Sequence, residues 1–94
     1  MDIQDVYRTL QQLGLVRSQI EFSRLWLGKS ARYYSSMLAR QQQPSLGTLT
    51  TLQFRLRNTL AHINDPGAES AIFSSLNRLD KHVILRTIVG RPSR

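Results

Sequence analysis

The segment Ser18-Gln19-Ile20-Glu21-Phe22-Ser23-Arg24-Leu25-Trp26-Leu27-Gly28-Lys29-Ser30 encodes a helix, its stop and the start of a second helix. Ser18 and Glu21 form a capping box: the serine oxygen takes the Glu21 amide, and the carboxylate reaches back to the serine amide. Phe22, Leu25 and Trp26, at i, i+3 and i+4, then point inward. The helix stops near Leu27-Gly28, where glycine supplies a tight turn. Ser23 is small, so a second helix can approach closely. Ser30 caps that second helix, which runs from about Ser30 to Arg40 with Tyr34, Met37 and Leu38 on its inner face. Ala31, Arg32, Ser35 and Ser36 are left on the outer face.

The helical pattern continues on both sides. Upstream, Ile3, Val6, Tyr7, Leu10 and Leu13 recur at helical spacing after Asp2, a good N-cap, and Gly14 ends the run. Downstream, Gln41-Gln42-Gln43-Pro44 is polar, and the proline disfavours helix at the residue before it. Ser45 caps a longer helix with Leu46, Leu49, Leu52, Leu56, Leu60 and Ile63 on one face. Asn64-Asp65-Pro66-Gly67 is the strongest turn signal in the chain. A last helix follows, with Ile72, Phe73, Leu76, Leu79 and Val83 as its stripe. Val83-Ile84-Leu85 and Ile88-Val89 are more apolar and β-branched than one helix face needs, which leaves room for a short C-terminal strand. Residues 90–94 read as a frayed basic tail. The expected fold is all-α, a compact bundle of about five short helices containing a helix-turn-helix, with that strand as an option. Residues 1–64 make its core, and residues 65–94 add a C-terminal helix and tail to the same single domain.

Charge is the most informative bulk property. Thirteen Lys+Arg against six Asp+Glu leave +7, and eleven of the thirteen cations are arginine. A guanidinium grips phosphate bidentately and stacks on bases, so this bias favours a nucleic-acid partner. Between Leu15 and Leu60, Arg17, Arg24, Lys29, Arg32, Arg40, Arg55 and Arg57 are opposed only by Glu21, a balance of +6. The chain has no cysteine, which excludes disulfides, thiolate metal sites and thiol catalysis. Its longest apolar runs, such as Leu25-Trp26-Leu27, are three residues, against about 20 for a membrane span. The N-terminus lacks the apolar core of a signal peptide. A soluble, cytoplasmic, nucleoid-associated protein is expected.

Residues 18–49 resemble the Cro/lambda-repressor-like (XRE-type) helix-turn-helix family. The resemblance lies in Ser18-Gln19-Ile20-Glu21-Phe22-Ser23, Gly28-Lys29-Ser30, Tyr33-Tyr34-Ser35 and Pro44-Ser45-Leu46 with Thr48-Leu49, about a third of the chain. It implies a bacterial or phage transcriptional regulator whose second motif helix enters the major groove of double-stranded DNA. By that likeness Ala31, Arg32, Ser35 and Ser36 touch base edges, with Arg32 suited to a bidentate contact on guanine. Gln19, Lys29, Ser30, Arg40 and Ser45 are the implied phosphate contacts. The sequence departs from the family at one point. From Phe22 to Gly28 it has one residue more than the usual spacing, so that Leu27 looks inserted. A longer turn and a rotated second helix are expected.

No enzyme constellation appears, and neither a cofactor nor a metal is expected. His62 and His82 lie twenty residues apart with no acidic pair beside them, the serines lack a partnered base, and there is no glycine-rich phosphate loop. Asp80 and Lys81 read as ordinary solvated charges. Phe73, Ile84, Leu85 and Ile88 remain after the last helix has docked its stripe, and they predict a homodimer interface. Two other classes share these features. One is a small helical protein-interaction module, antiactivator or antitoxin-like, using the basic face on a protein. The other is an architectural factor that bends DNA.

Overall fold

Local capping chemistry sets the helix boundaries before packing assembles them. The computed structural model describes residues 3–89. Helix α1 (Ile3–Gln12) buries Ile3, Val6 and Leu10 and ends at Gly14, which takes φ +75°. There the Leu15 amide donates to the Leu10 carbonyl (2.9 Å) and the Gly14 amide to the Gln11 carbonyl (3.0 Å), the paired bonds of a Schellman ending. Asp2, the expected cap, lies outside the described residues, as does the tail at 90–94.

Helix α2 (Gln19–Glu21) runs directly into one π-helical turn, Phe22–Trp26. Helices α3 (Tyr33–Ala39), α4 (Leu46–His62) and α5 (Pro66–Val89) follow. Ser18 caps α2 as expected, its Oγ accepting the Glu21 amide at 3.1 Å. The Glu21 carboxylate, however, takes the Arg17 amide (3.0 Å) instead of that of Ser18. Ser45 caps α4 by accepting the Thr48 amide at 3.2 Å. At α5, Asp65 Oδ2 accepts the Ala68 amide at 3.3 Å. Pro66 fills the first helical position there, where no N–H is needed.

The core is continuous. Val6 and Leu10 of α1 meet Phe22, Trp26 and Leu27, then Tyr34 and Met37 of α3, Leu49, Leu52 and Leu56 of α4, and Ile72, Leu76 and Leu79 of α5. Tyr7, Phe22 and Tyr34 form an aromatic triad with ring centroids 4.9–5.2 Å apart, which binds α1, the π-turn and α3 together. Helix α5 packs along α4 and also touches α1. The buried Gln53 donates to Asp80 Oδ1 at 2.6 Å, and Arg57 reaches the same oxygen at 2.9 Å. At the far end, Arg86 donates to the Pro44 carbonyl at 2.6 Å.

Several expectations need correction. Residues 83–89 are helix, and no strand occurs among the described residues. Ala68, Ile72, Leu76, Leu79 and Val83 keep one register at steps of three and four, so docking on α4 outweighs the small helix cost of β-branched residues. The helices are not all short, since α4 has 17 residues and α5 has 24. Leu25 points to solvent, and Leu27 takes the core position expected of it. The segment Phe22–Trp26 forms a π-turn, with the Leu27 amide donating to the Phe22 carbonyl five residues back. Leu46 is exposed instead of completing its stripe, and Phe73, expected both in the α5 stripe and among the residues left over after docking, is exposed. Asp80 is no isolated solvated charge, because it clamps α4 to α5.

Candidate nucleic-acid interface

The surface carried by residues 17–40 is built on one buried serine. Ser23, in the π-turn, is fully buried, and its Oγ accepts the Tyr34 amide at 3.0 Å. The small side chain lets α3 seat directly on the π-turn, and its oxygen caps α3 from a neighbouring element. Ser30 was the expected cap, but α3 begins only at Tyr33. The chain at Ser30 makes a tight turn in which the Tyr33 amide donates to the Ser30 carbonyl at 3.1 Å. The first amides of α3 are therefore used within the protein. Gly28 enters this turn at φ +66°, and a Cβ there would stand 3.3 Å from Thr51 Cγ2 of α4. The expected role of Gly28 in the turn agrees with that geometry.

Tyr34 and Met37 are buried and Leu38 is half-buried, as their spacing requires. Arg32 and Ser36 are exposed, while Ala31 and Ser35 are half-buried. The Ser35 hydroxyl donates to the Arg32 carbonyl at 3.3 Å, which spends its proton locally. A groove of 290 Å³ beside α3 brings together Ser30, Arg32, Ser36, Arg40, Gln42 and Gln43. It therefore gathers two of the four expected base-reading positions, two of the expected phosphate contacts and two of the three glutamines. Lys29 lies over the Tyr33 ring, 5.7 Å from its centroid, a cation–π contact that leaves the ammonium at the surface. The Tyr33 hydroxyl is 3.2 Å from Thr48 Oγ1, which is 2.9 Å from Ser45 Oγ. This chain of hydroxyls ties α3 to the N-terminus of α4. Gln19 is exposed at the start of α2, outside the groove.

The charge balance changes once partners are counted. Arg57 is paired with Asp80, and Arg55 donates to the Leu25 carbonyl, so neither is as available as its charge suggests. Between residues 17 and 40, Arg17, Arg24, Lys29, Arg32 and Arg40 face one carboxylate, Glu21, a balance of +4. None of these five cations is in an ion pair among the described residues, where the acidic partners are Asp5 and Asp80. Sequence reasoning also missed Phe54, which is 67% exposed on α4. Its only signal was an apolar residue falling off the buried stripe.

No group of three or more His, Cys, Asp or Glu side chains placed to hold a metal occurs among the described residues. None of their helices is long and apolar enough to cross a membrane. Fold and surface define an all-α domain in which two short, closely seated helical segments carry exposed cations with no ion-pair partner among the described residues. The chain belongs to a family of unknown function, DUF6626, which matches residues 3–91. No curated protein and no solved structure matches it.

Proposed function

We propose that this protein is a sequence-specific DNA-binding transcriptional regulator. Helix α2, the turn and α3 form its helix-turn-helix, with α3 read into the major groove. The observation that carries the reading is the groove beside α3 that brings exposed Arg32 and Arg40 together with Ser30 and Ser36, with exposed Lys29 over Tyr33 next to it and none of these cations in an ion pair among the described residues. A large or acidic outer face would block approach to a phosphate-lined groove, whereas Ala31, Ser35 and Ser36 leave room for base edges. Arg32 reads a base. Lys29, Ser30 and Arg40 contact phosphate around it, with Gln19 and Ser45 at the helix starts on either side.

The protein acts as a homodimer through the outer face of α5. Phe73, Ile84, Leu85 and Ile88 are all more than half exposed there, outside the buried stripe of Ile72, Leu76 and Leu79. Patches of this kind mark partner surfaces. Two copies related by a two-fold axis would read a near-palindrome, with half-site centres about 10 base pairs or a whole number of turns apart. No catalytic step is assigned.

The test is enrichment of bound fragments from random duplex DNA by the full chain at low salt. A recurring near-palindromic motif is the expected result. Recovery without any motif would leave only non-specific binding, and failure to retain duplex at low salt would favour a protein partner for the same basic face.

A further inference from the structure

We infer that the π-helical turn at Phe22–Trp26 determines which bases this protein reads, with Leu25 as the surplus residue it holds and Arg55 as the side chain that secures it. The inference rests on the DNA-reading assignment above.

A π-turn is an α-helix that carries one additional residue. Its signature here is the Leu27 amide donating to the Phe22 carbonyl at 3.0 Å, five residues back. With ordinary α spacing, Phe22, Leu25 and Trp26 would face inward. Instead Phe22, Trp26 and Leu27 are buried and Leu25 is 55% exposed. Leu25 is thus the residue that the inward face does not need. Such turns are rare and persist where the surroundings hold them. Here one restraint comes from a distant helix and another from the turn that follows. Arg55 of α4 donates to the Leu25 carbonyl, at the end of the helical segment. The Lys29 amide closes onto the Ser23 carbonyl at 2.9 Å. A Cβ at Gly28 would stand 3.3 Å from Thr51 Cγ2 and 3.8 Å from Arg55 Nη2, so α4 leaves little room there for anything but glycine.

These restraints all act at or after the π-turn, whereas Ser18 and Gln19 lie before it. One helical residue corresponds to about 100° of rotation and about 1.5 Å of rise. The π-turn therefore sets how the start of α2, with Gln19, is rotated and spaced relative to α3, with Arg32. Ser23 lies inside the same turn and caps α3, so α3 is fixed to the distortion itself. A hydrogen bond to a base tolerates only a few tenths of an ångström, so a shift of this size would break a matched pair of backbone and base contacts.

Deleting Leu25 tests this. The remaining Phe22-Ser23-Arg24-Trp26-Leu27 places tryptophan and leucine three and four residues after Phe22, as an ordinary α-helix requires. The deletion variant should keep a helical circular dichroism spectrum and a cooperative melt. Its affinity for the duplex selected by the wild type should fall about tenfold or more, the loss of at least one base contact, and its preference across single-base variants should change. Arg55→Met is the second variant, and it decides the matter if the deletion variant does not fold. It should lower the preference for the selected duplex over a scrambled one while leaving the salt slope unchanged. A direct phosphate contact by Arg55 would instead lower the slope by about 1 and weaken all sequences alike, which would overturn its role here. A folded deletion variant with wild-type affinity and base profile would overturn the inference. If the wild type itself binds no duplex, it is the DNA assignment that fails.

Discussion

Asp80→Ala should be among the most damaging substitutions at a surface-accessible position. Its Oδ1 is shared by Gln53 Nε2 at 2.6 Å and Arg57 at 2.9 Å. Gln53 is buried, so its amide would lose its acceptor where water reaches it poorly, at a cost of about 1–3 kcal/mol. The Arg57 pair is half-exposed and adds about 1 kcal/mol or less. Together these predict a loss of about 1–4 kcal/mol. At about 4–8 °C per kcal/mol for a domain of this size, the melting midpoint should drop by roughly 4–32 °C. Asp80→Asn keeps an oxygen for Gln53 and loses only the attraction to Arg57, so it should cost about 1 kcal/mol or less. Thermal melts followed by circular dichroism at two protein concentrations give both numbers and expose any contribution from self-association. An Asp80→Ala midpoint within about 0.5 kcal/mol of wild type, or Asp80→Asn as harmful as Asp80→Ala, would refute the clamp.

Other predictions concern the interface and the dimer. Arg32→Ala should relax base choice at one position per half-site and cost about 1–3 kcal/mol, measured as a binding profile over single-base operator variants. Gln19→Ala should weaken all sequences about equally in the same assay, since a phosphate contact carries no base information. Ile84→Glu with Ile88→Glu should leave the fold intact, because both side chains are exposed, and should shift sedimentation to the monomer. A double variant that stays dimeric would remove α5 from the interface.

Most helix boundaries were legible in the sequence because their causes are local. Ser18, Ser45 and Gly14 act on amides and carbonyls within a few residues, and each does so in the structure. The π-turn was not legible in this way. Phe22-Ser23-Arg24-Leu25-Trp26-Leu27 satisfies an α register with Leu25 inward as well as a π register with Leu27 inward. The π register seats Leu27 in the core, and Arg55, thirty residues away, donates to the carbonyl of the exposed Leu25. Asp80 was misjudged for the same reason, as its partners lie 23 and 27 residues away. The strand considered at residues 83–89 followed from β-branched composition, but the deciding fact was continued docking of α5 on α4. In the candidate site, the exposure of Arg32 and Ser36 and the burial of Tyr34 followed from spacing alone. The cap of α3 did not, because it comes from Ser23 on another element.

Salt dependence of duplex binding tests the central claim most directly. The cations between Arg17 and Arg40 have no ion-pair partners among the described residues, so contact with DNA should release counterions in proportion to the phosphates they neutralise. A dimer making about 6–10 phosphate contacts should lose about 10³–10⁵ in affinity between 50 and 200 mM salt. Equilibrium binding of the full chain to its selected duplex, titrated across that range, should show this steep linear fall on logarithmic axes. Affinity that stays flat across the range would contradict the assignment of this face to DNA.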